Sequence, residues 1–304
     1  MTSLSGQTVF ITGAARGIGE HMARIAAARG ARVFLAGLEP DRLAALGAEL
    51  DAGWHECDVT DQAALAAAVG AAVDRTGSID AVVANAGIAN LGTVGVGDVE
   101  ALIRTVDVNL NGVIRTVAAT LPHVRVARGY YLLISSAAAF TALPGMAAYC
   151  AAKAGVEHFG TALRLELAPA GVAVGTAHPS WVDTDLVRDV KRELPSFRAA
   201  LARLPWPMNV TVPVSRCAEV LVRAIERRSR RVYVPRPVAV VQAIRTLVNS
   251  RAYDAAVRRA GGDQIGKLEH DVRATGRSFG DHSMGLGASD PADHPSTHHS
   301  GLAT

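Results

Sequence analysis

The sequence predicts an α/β fold, a doubly wound parallel sheet of about seven strands with helices on both faces. Three observations carry that expectation. Short apolar runs alternate with stretches of helical periodicity; a glycine-rich turn joins the first run to the first helix; and Ser136, Tyr149 and Lys153 stand thirteen and four residues apart after the fifth run. Alternating strand and helix makes neighbouring strands parallel and covers both faces of the sheet.

The first strand is Thr8-Val9-Phe10-Ile11-Thr12. Ile18, Met22, Ile25 and Ala26 then recur at helical spacing until Arg29-Gly30. Between them, Gly13-Ala14-Ala15-Arg16-Gly17-Ile18-Gly19 allows a tight turn and the close approach of a pyrophosphate, whose charge lies against the amides that open the helix. Arg32-Val33-Phe34-Leu35-Ala36 is the second strand, residues 41–50 a helix, and the short third strand ends at Cys57-Asp58-Val59. A helix over 61–76 feeds the fourth strand, Ala81-Val82-Val83-Ala84, which runs into Asn85-Ala86-Gly87. The fifth strand covers 130–135, a long helix 148–167, the sixth strand 172–177 before His178-Pro179, and the seventh 231–234.

Tyr149 and Lys153, four apart on the long helix, share a face. A lysine ammonium beside a phenol favours the phenolate and lowers a pKa near 10 toward the working pH, making Tyr149 a usable proton carrier. Ser136 stands at the carboxyl end of the fifth strand, where doubly wound sheets bind their ligands, and can donate a hydrogen bond to a substrate oxygen.

With these residues in this order, the chain from about residue 5 to residue 235 resembles the short-chain dehydrogenase/reductase family in its compact, single-domain, Rossmann-type form. The matching pieces are Thr12 to Gly19, Asp58, Asn85-Ala86-Gly87, Asn109, Ser136 and Tyr149-Cys150-Ala151-Ala152-Lys153. The resemblance implies an NAD(P)-dependent oxidoreductase with Asn109, Ser136, Tyr149 and Lys153 as its catalytic set. It further implies that Lys153 holds the nicotinamide ribose and that Asn109 keeps a water in a proton relay. The implied cofactor contacts are Gly13, Arg16, Gly17, Ile18, Gly19, Glu39, Asp58, Val59, Asn85, Ala86, Gly87, Tyr149 and Lys153. Asn85 would tie strand ends together, and Gly87 would keep the backbone clear of the cofactor. His178-Pro179-Ser180-Trp181-Val182-Asp183-Thr184 resembles the family's PGxxxT stretch and adds Pro179, Val182 and Thr184, with Ser180 in place of the usual glycine. His178 reads as a packing residue. The rival reading is a cofactor-sensing or scaffolding protein that keeps the fold without the chemistry.

Cofactor choice stays open between NAD and NADP. An acidic residue at the end of the second strand serves the ribose of NAD, and an arginine nearby serves the phosphate of NADP. This chain has Gly37-Leu38-Glu39 there and Arg16 in the glycine loop, and the balance leans to NAD.

A chain of 304 residues that is 49% hydrophobic can bury a large core. Its three cysteines, Cys57, Cys150 and Cys217, lack metal-type spacing and read as reduced packing residues; no metal site is expected. Neither a leader-like segment nor an apolar stretch of spanning length is present, so the cytoplasm is the expected compartment.

The resemblance implies that segment 185–211 forms a mobile cover over the pocket; its Leu186, Val190, Leu194, Phe197, Leu201, Leu204, Trp206 and Met208 make an apolar face that suits a hydrophobic substrate such as a steroid, terpenoid or lipid-like alcohol or ketone, or else packs on the body of the enzyme. Residues 236–275 form a basic helical extension. Between Ser215 and Ala260 there are eleven arginines against three acidic residues, a balance of +8 in a chain of net +3. Such a segment can lie on an anionic membrane, dock on a neighbouring subunit or pack on its own sheet edge. Nucleic-acid binding has no motif behind it. The resemblance implies a homodimer or homotetramer. The stretch 276–304 is expected to be a disordered tail.

Overall fold

The computed structural model describes residues 4–90, 92–248, 250–255 and 264–276. Its strands, in chain order, are β1 (Thr8–Thr12), β2 (Arg32–Gly37), β3 (Gly53–Glu56), β4 (Ala81–Ala84), β5 (Tyr130–Ile134), β6 (Ala173–Pro179), β7 (Trp181–Asp183), β8 (Thr211–Pro213) and β9 (Arg231–Val234). Seven of them make one sheet in the order β3-β2-β1-β4-β5-β6-β9, and every pairing in it is parallel. The order reverses between β1 and β4, and the crevice at such a switch point is where doubly wound sheets take ligands.

Period-two alternation sends successive strand residues to opposite faces. Val9, Ile11, Val33, Leu35, Leu132 and Ile134 enter one core, packed under the helices α1 (Gly17–Ala28) and α2 (Pro40–Leu50) and a later helix at 214–226. Phe10, Phe34, Val82, Tyr131 and Leu133 enter the other. That side is covered by α3 (Gln62–Thr76), α4 (Val99–Val106), α5 (Gly112–Val126) and α6 (Ala147–Leu167). After β7 come α7 (Asp185–Glu193) and α8 (Pro195–Arg203), the two helices within the segment 185–211; α9 is Val214–Glu226.

Two boundaries shift for identifiable reasons. The third strand stops at Glu56, leaving Cys57, Asp58 and Val59 in the connection, because Asp58 Oδ1 accepts from both the backbone N–H and the hydroxyl of Thr60 at 2.8 Å and turns the chain. The sixth strand runs on to Pro179, since β9 gives His178 and Pro179 the partners Tyr233 and Val234. The helical stripe expected after β9 is two short pieces, α10 (Val238–Ala243) and α11 (Arg245–Val248). A last described helix, Gln264–Thr275, packs back on α8. The tail expectation for 276–304 lies, past residue 276, outside the described residues.

Candidate active site

The glycine loop turns at the carboxyl end of β1. Gly13 has φ +63°, and a Cβ there would stand 2.8 Å from the Ala86 Cα, so the loop and the Asn85-Ala86-Gly87 turn after β4 can only be this close with glycine. Asn85 laces them together, its Nδ2 donating to the carbonyls of Thr12 (3.0 Å) and Gly13 (3.1 Å). Arg16, in extended conformation, caps α1 without a side-chain hydrogen bond, which leaves the N–H groups of the first turn for an anion.

The resulting cleft is about 170 Å³. Among the expected contacts its walls include Gly13, Arg16, Gly17, Ile18, Glu39, Asp58, Val59, Asn85, Ala86, Gly87 and Thr184. Gly19 lies behind the loop, where a Cβ would strike the Gly13 carbonyl. Val182 is buried in the core below, and Pro179 closes β6. Thr184 reaches the loop from the far side, its methyl 3.5 Å from where a Gly17 Cβ would stand. A glycine cradle facing free helix N–H groups beside an acidic residue fits a dinucleotide.

Arg16 and Glu39, which gave opposing signals in the sequence, neutralise one another. The guanidinium grips the carboxylate bidentately, with Arg16 Nε donating to Glu39 Oε2 at 2.7 Å, while Arg42 Nε adds a contact at 3.4 Å. The Glu39 hydrogen bond is the main reason the Arg16 pKa is raised. Sequence reading missed Arg104, which lines the same cleft from α4 and pairs with Asp58 Oδ2 at 2.9 Å. Burial alone would raise the Asp58 carboxyl, but Thr60 and Arg104 outweigh it and hold the pKa below its ordinary value. No local signal marks Arg104, because only the fold joins positions 46 apart.

Beyond the cleft, Ser136 and Tyr149 line an adjoining pocket with Ala89, Met146, Trp181 and Phe197. Ser136 Oγ accepts from Ala138 N (3.2 Å) and donates to the Pro179 carbonyl (3.3 Å), so the serine is a strand-end cap as well as a pocket wall. Lys153, only 3% exposed, lies over the Tyr149 ring with Nζ 5.6 Å from the centroid. Its Nζ donates to the Ile134 carbonyl at 3.0 Å.

One expectation is corrected here. The phenol is not held down by the lysine: burial pushes Tyr149 up to about 12, with the Ser136 hydroxyl working the other way, and burial lowers Lys153 to about 8. Burial disfavours the charged form of each group, and that desolvation is the main cause of both shifts.

Asn109 is fully buried in a π-helical turn, Asp107–Asn111, that separates α4 from α5. Its Nδ2 donates to the carbonyls of Ile88 (2.7 Å) and Thr105 (2.8 Å), and its Oδ1 is left without a partner. A Cβ on Gly87 would come within 2.6 Å of that oxygen and 3.6 Å of Lys153 Nζ. Gly87 is therefore needed to make room for Asn109, a different reason from clearance of a cofactor, and an orphaned acceptor here suits a bound water. Asn111, two residues beyond Asn109, faces out and donates from Nδ2 to Asp107 Oδ1 at 3.0 Å. His178 is buried outside both cavities, stacked on Tyr233 at 5.2 Å and 3.6 Å from Glu157. Among the described residues no cluster of potential metal ligands exists, and no helix is long and apolar enough to cross a membrane.

A glycine cradle for a dinucleotide opening onto a pocket lined by a serine and a tyrosine defines the class, and the chain belongs to the short-chain dehydrogenase family, whose model, described as short chain dehydrogenase, matches residues 7–195. It is thus an NAD(P)-dependent oxidoreductase of CH–OH groups, of a family that acts on small substrates and usually forms oligomers. It is 36% identical over 197 residues to a trans-4-hydroxycyclohexanecarboxylate dehydrogenase of Sinomonas cyclohexanicum, a match covering 61% of this chain and 76% of that one. To a 3-alpha-(or 20-beta)-hydroxysteroid dehydrogenase of Mycobacterium tuberculosis it is 33% identical, over 68% of this chain and 80% of the relative. An uncharacterized oxidoreductase of Myxococcus xanthus matches at 32% over 85% of this chain and 99% of its own length. The crystal structure of gox2181 superposes with a TM-score of 0.71 at 25% identity, covering 79% of this chain and 98% of that one.

Proposed function

We propose that the protein interconverts a hydrophobic secondary alcohol and its ketone, with Tyr149 as general acid/base, Ser136 orienting the reacting oxygen, Lys153 beneath the tyrosine and Asn109 holding a relay water. The observation that carries this reading is the meeting of Ser136 and Tyr149 in one apolar-walled pocket next to the glycine cradle. A bound nicotinamide cofactor would supply or accept the hydride; the chain's own part is to orient the oxygen and move its proton. The Tyr149 hydroxyl is the donor in the reduction direction, and a phenol kept protonated by burial is ready for that role.

For the cofactor, NAD is the better fit. Glu39 can accept from a ribose hydroxyl without leaving Arg16, whereas a ribose phosphate would have to break the Arg16–Glu39 pair and sit beside the carboxylate. The test is a fluorescence titration with NADH and, separately, NADPH, followed by turnover with cyclohexanol. Tighter NADPH binding would overturn the cofactor assignment, and failure to bind either would overturn the enzyme reading in favour of a scaffold.

The setting proposed is the cytoplasm, in a homodimer or homotetramer paired through the helices after β4 and β5, where Ile103, Ile114 and Leu165 are exposed. Peripheral membrane contact belongs with the extension. Arg216, Arg223, Arg227, Arg231 and Arg236 line a groove of about 780 Å³ beside β9, and Val240, Ile244 and Leu247 stand exposed in the segment that follows. Co-sedimentation with phosphatidylglycerol vesicles but not with phosphatidylcholine vesicles is the expected result; equal binding to both would remove the role of the arginines.

A further inference from the structure

We infer that the helix Gln264–Thr275, which lies beyond the family-matched core, is the outer wall of the substrate pocket and restricts it to compact, uncharged alcohols. This rests on the reading that the pocket beside Tyr149 takes the substrate, and it selects the small end of the hydrophobic range.

The helix packs behind two walls of the pocket, Val190 and Phe197, and is fastened on either side. On one side, Thr93 Oγ1, in the connection after β4, donates to Glu269 Oε1 at 2.7 Å. On the other, Ser196 N, in the first turn of α8, donates to Asp271 Oδ2 at 3.0 Å. α8 follows Leu194 and has no side-chain cap of its own, so Asp271 supplies the missing acceptor and a negative charge at the positive end of that helix.

Between these bonds Leu268 and Val272, one helical turn apart, are buried against Val190, Leu194, Phe197 and Val96. Val190 and Phe197 are also walls of the pocket, and Phe197 meets Trp181 edge to face at 5.3 Å. The extension therefore presses on the cavity through a single layer of side chains.

No slack is left behind that layer. A Cβ on Gly92 would stand 3.1 Å from Val272 Cγ1, and one on Gly145, four residues before Tyr149, would overlap the Leu268 side chain. The pocket itself is about 60 Å³, beside the roughly 170 Å³ of the neighbouring cleft. A substrate with several fused rings enters only if Val190 and Phe197 move outward, and Leu268 and Val272 oppose that movement. The walls contain no charged side chain, so a carboxylate would lose its hydration with no partner in return.

The test compares the full-length wild type with Leu268→Ala/Val272→Ala in two independent assays. One measures kcat/KM for NAD-dependent oxidation of cyclohexanol, cyclohexanecarboxylate bearing a 4-hydroxyl, and androsterone; the other measures trypsin cleavage at the exposed Arg198 and Arg203 of α8 without substrate. The wild type is expected to favour cyclohexanol over both others. The double variant is expected to raise the androsterone-to-cyclohexanol ratio by about tenfold or more and to be cut faster at both arginines. A wild type that favours the steroid or the carboxylate, or a variant with both ratio and cleavage unchanged, overturns the inference. Wild-type inactivity on all three alcohols counts against the dehydrogenase reading, and cleavage alone then decides whether the helix holds α8. Should the double variant melt before assay, Glu269→Gln/Asp271→Asn keeps the apolar contacts and is expected to change cleavage in the same direction; wild-type cleavage in that variant overturns the inference as well.

Discussion

The cofactor cleft and the substrate pocket share a wall but are built in opposite ways. The cleft comes from two short stretches, residues 12–19 and 85–87, each at the end of a strand, joined by Asn85 and by a contact that only glycine at 13 permits. The pocket is assembled from Ala89 after β4, Ser136 and Ala137 after β5, Tyr149 of α6, Trp181 of β7 and the helices α7 and α8, with the helix Gln264–Thr275 packed behind Val190 and Phe197. What fixes the first is backbone geometry, whereas the second is held by side chains far apart in sequence. A cleft of the first kind can serve one ligand across a whole family, and a pocket of the second kind can be rebuilt for each substrate.

The largest effect that would test this division is at its border. Tyr149→Phe should lower turnover by about 10³-fold or more while NADH binding by fluorescence stays at the wild-type level. Parallel loss of binding would mean that the two regions are one unit. Next is Gly13→Val, aimed at the cleft alone. The strained φ of +63° and the overlap with Ala86 should cost about 3 kcal/mol of stability. Chemical denaturation reads that loss, and equal stability would show that the cradle yields more than its contacts imply.

A smaller effect is expected at Glu39→Ser, which frees Arg16 and Arg42 for a phosphate and should shift the NADPH-to-NADH affinity ratio by about tenfold. An unchanged ratio would remove Glu39 from cofactor choice. The smallest concerns Asp58. Its pKa is depressed in the folded chain by Thr60 and Arg104 against the pull of burial, so the folded state binds this proton less readily than the unfolded one. Its stabilisation is therefore complete above the unfolded value near pH 4 and is lost as pH falls through the folded value. Asp58→Asn should flatten the acid limb of a Tm-against-pH curve and leave the curve above pH 6 almost parallel to wild type.

Much of the fold was readable because each strand is a short apolar run bounded by a turn, and the seven expected strands all occur in one parallel sheet. The errors are local. Asp58 ends β3 early by binding Thr60, and the stripe after β9 breaks at Ile244 between α10 and α11. Of the candidate residues, the sequence brought forward those whose neighbours are close in number, such as Tyr149 and Lys153, and it had no means of finding Arg104, Glu269 or Asp271.

Its treatment of charge was weaker for the same reason. The ammonium of Lys153 was expected to depress the Tyr149 phenol, but spacing on a helix says nothing of solvent, and burial raises the phenol to about 12. Arg16 and Glu39 looked contradictory as letters and are partners in space.

By itself, then, the sequence determined the strand order of events along the chain, the glycine loop and the residues able to do the chemistry, because periodicity and local spacing are properties of neighbouring residues. Tertiary structure alone decided how large the pocket beside Tyr149 is, which charges cancel and which helix packs behind its walls, because each depends on desolvation and on contacts between distant segments, such as Thr93 and Glu269, 176 residues apart.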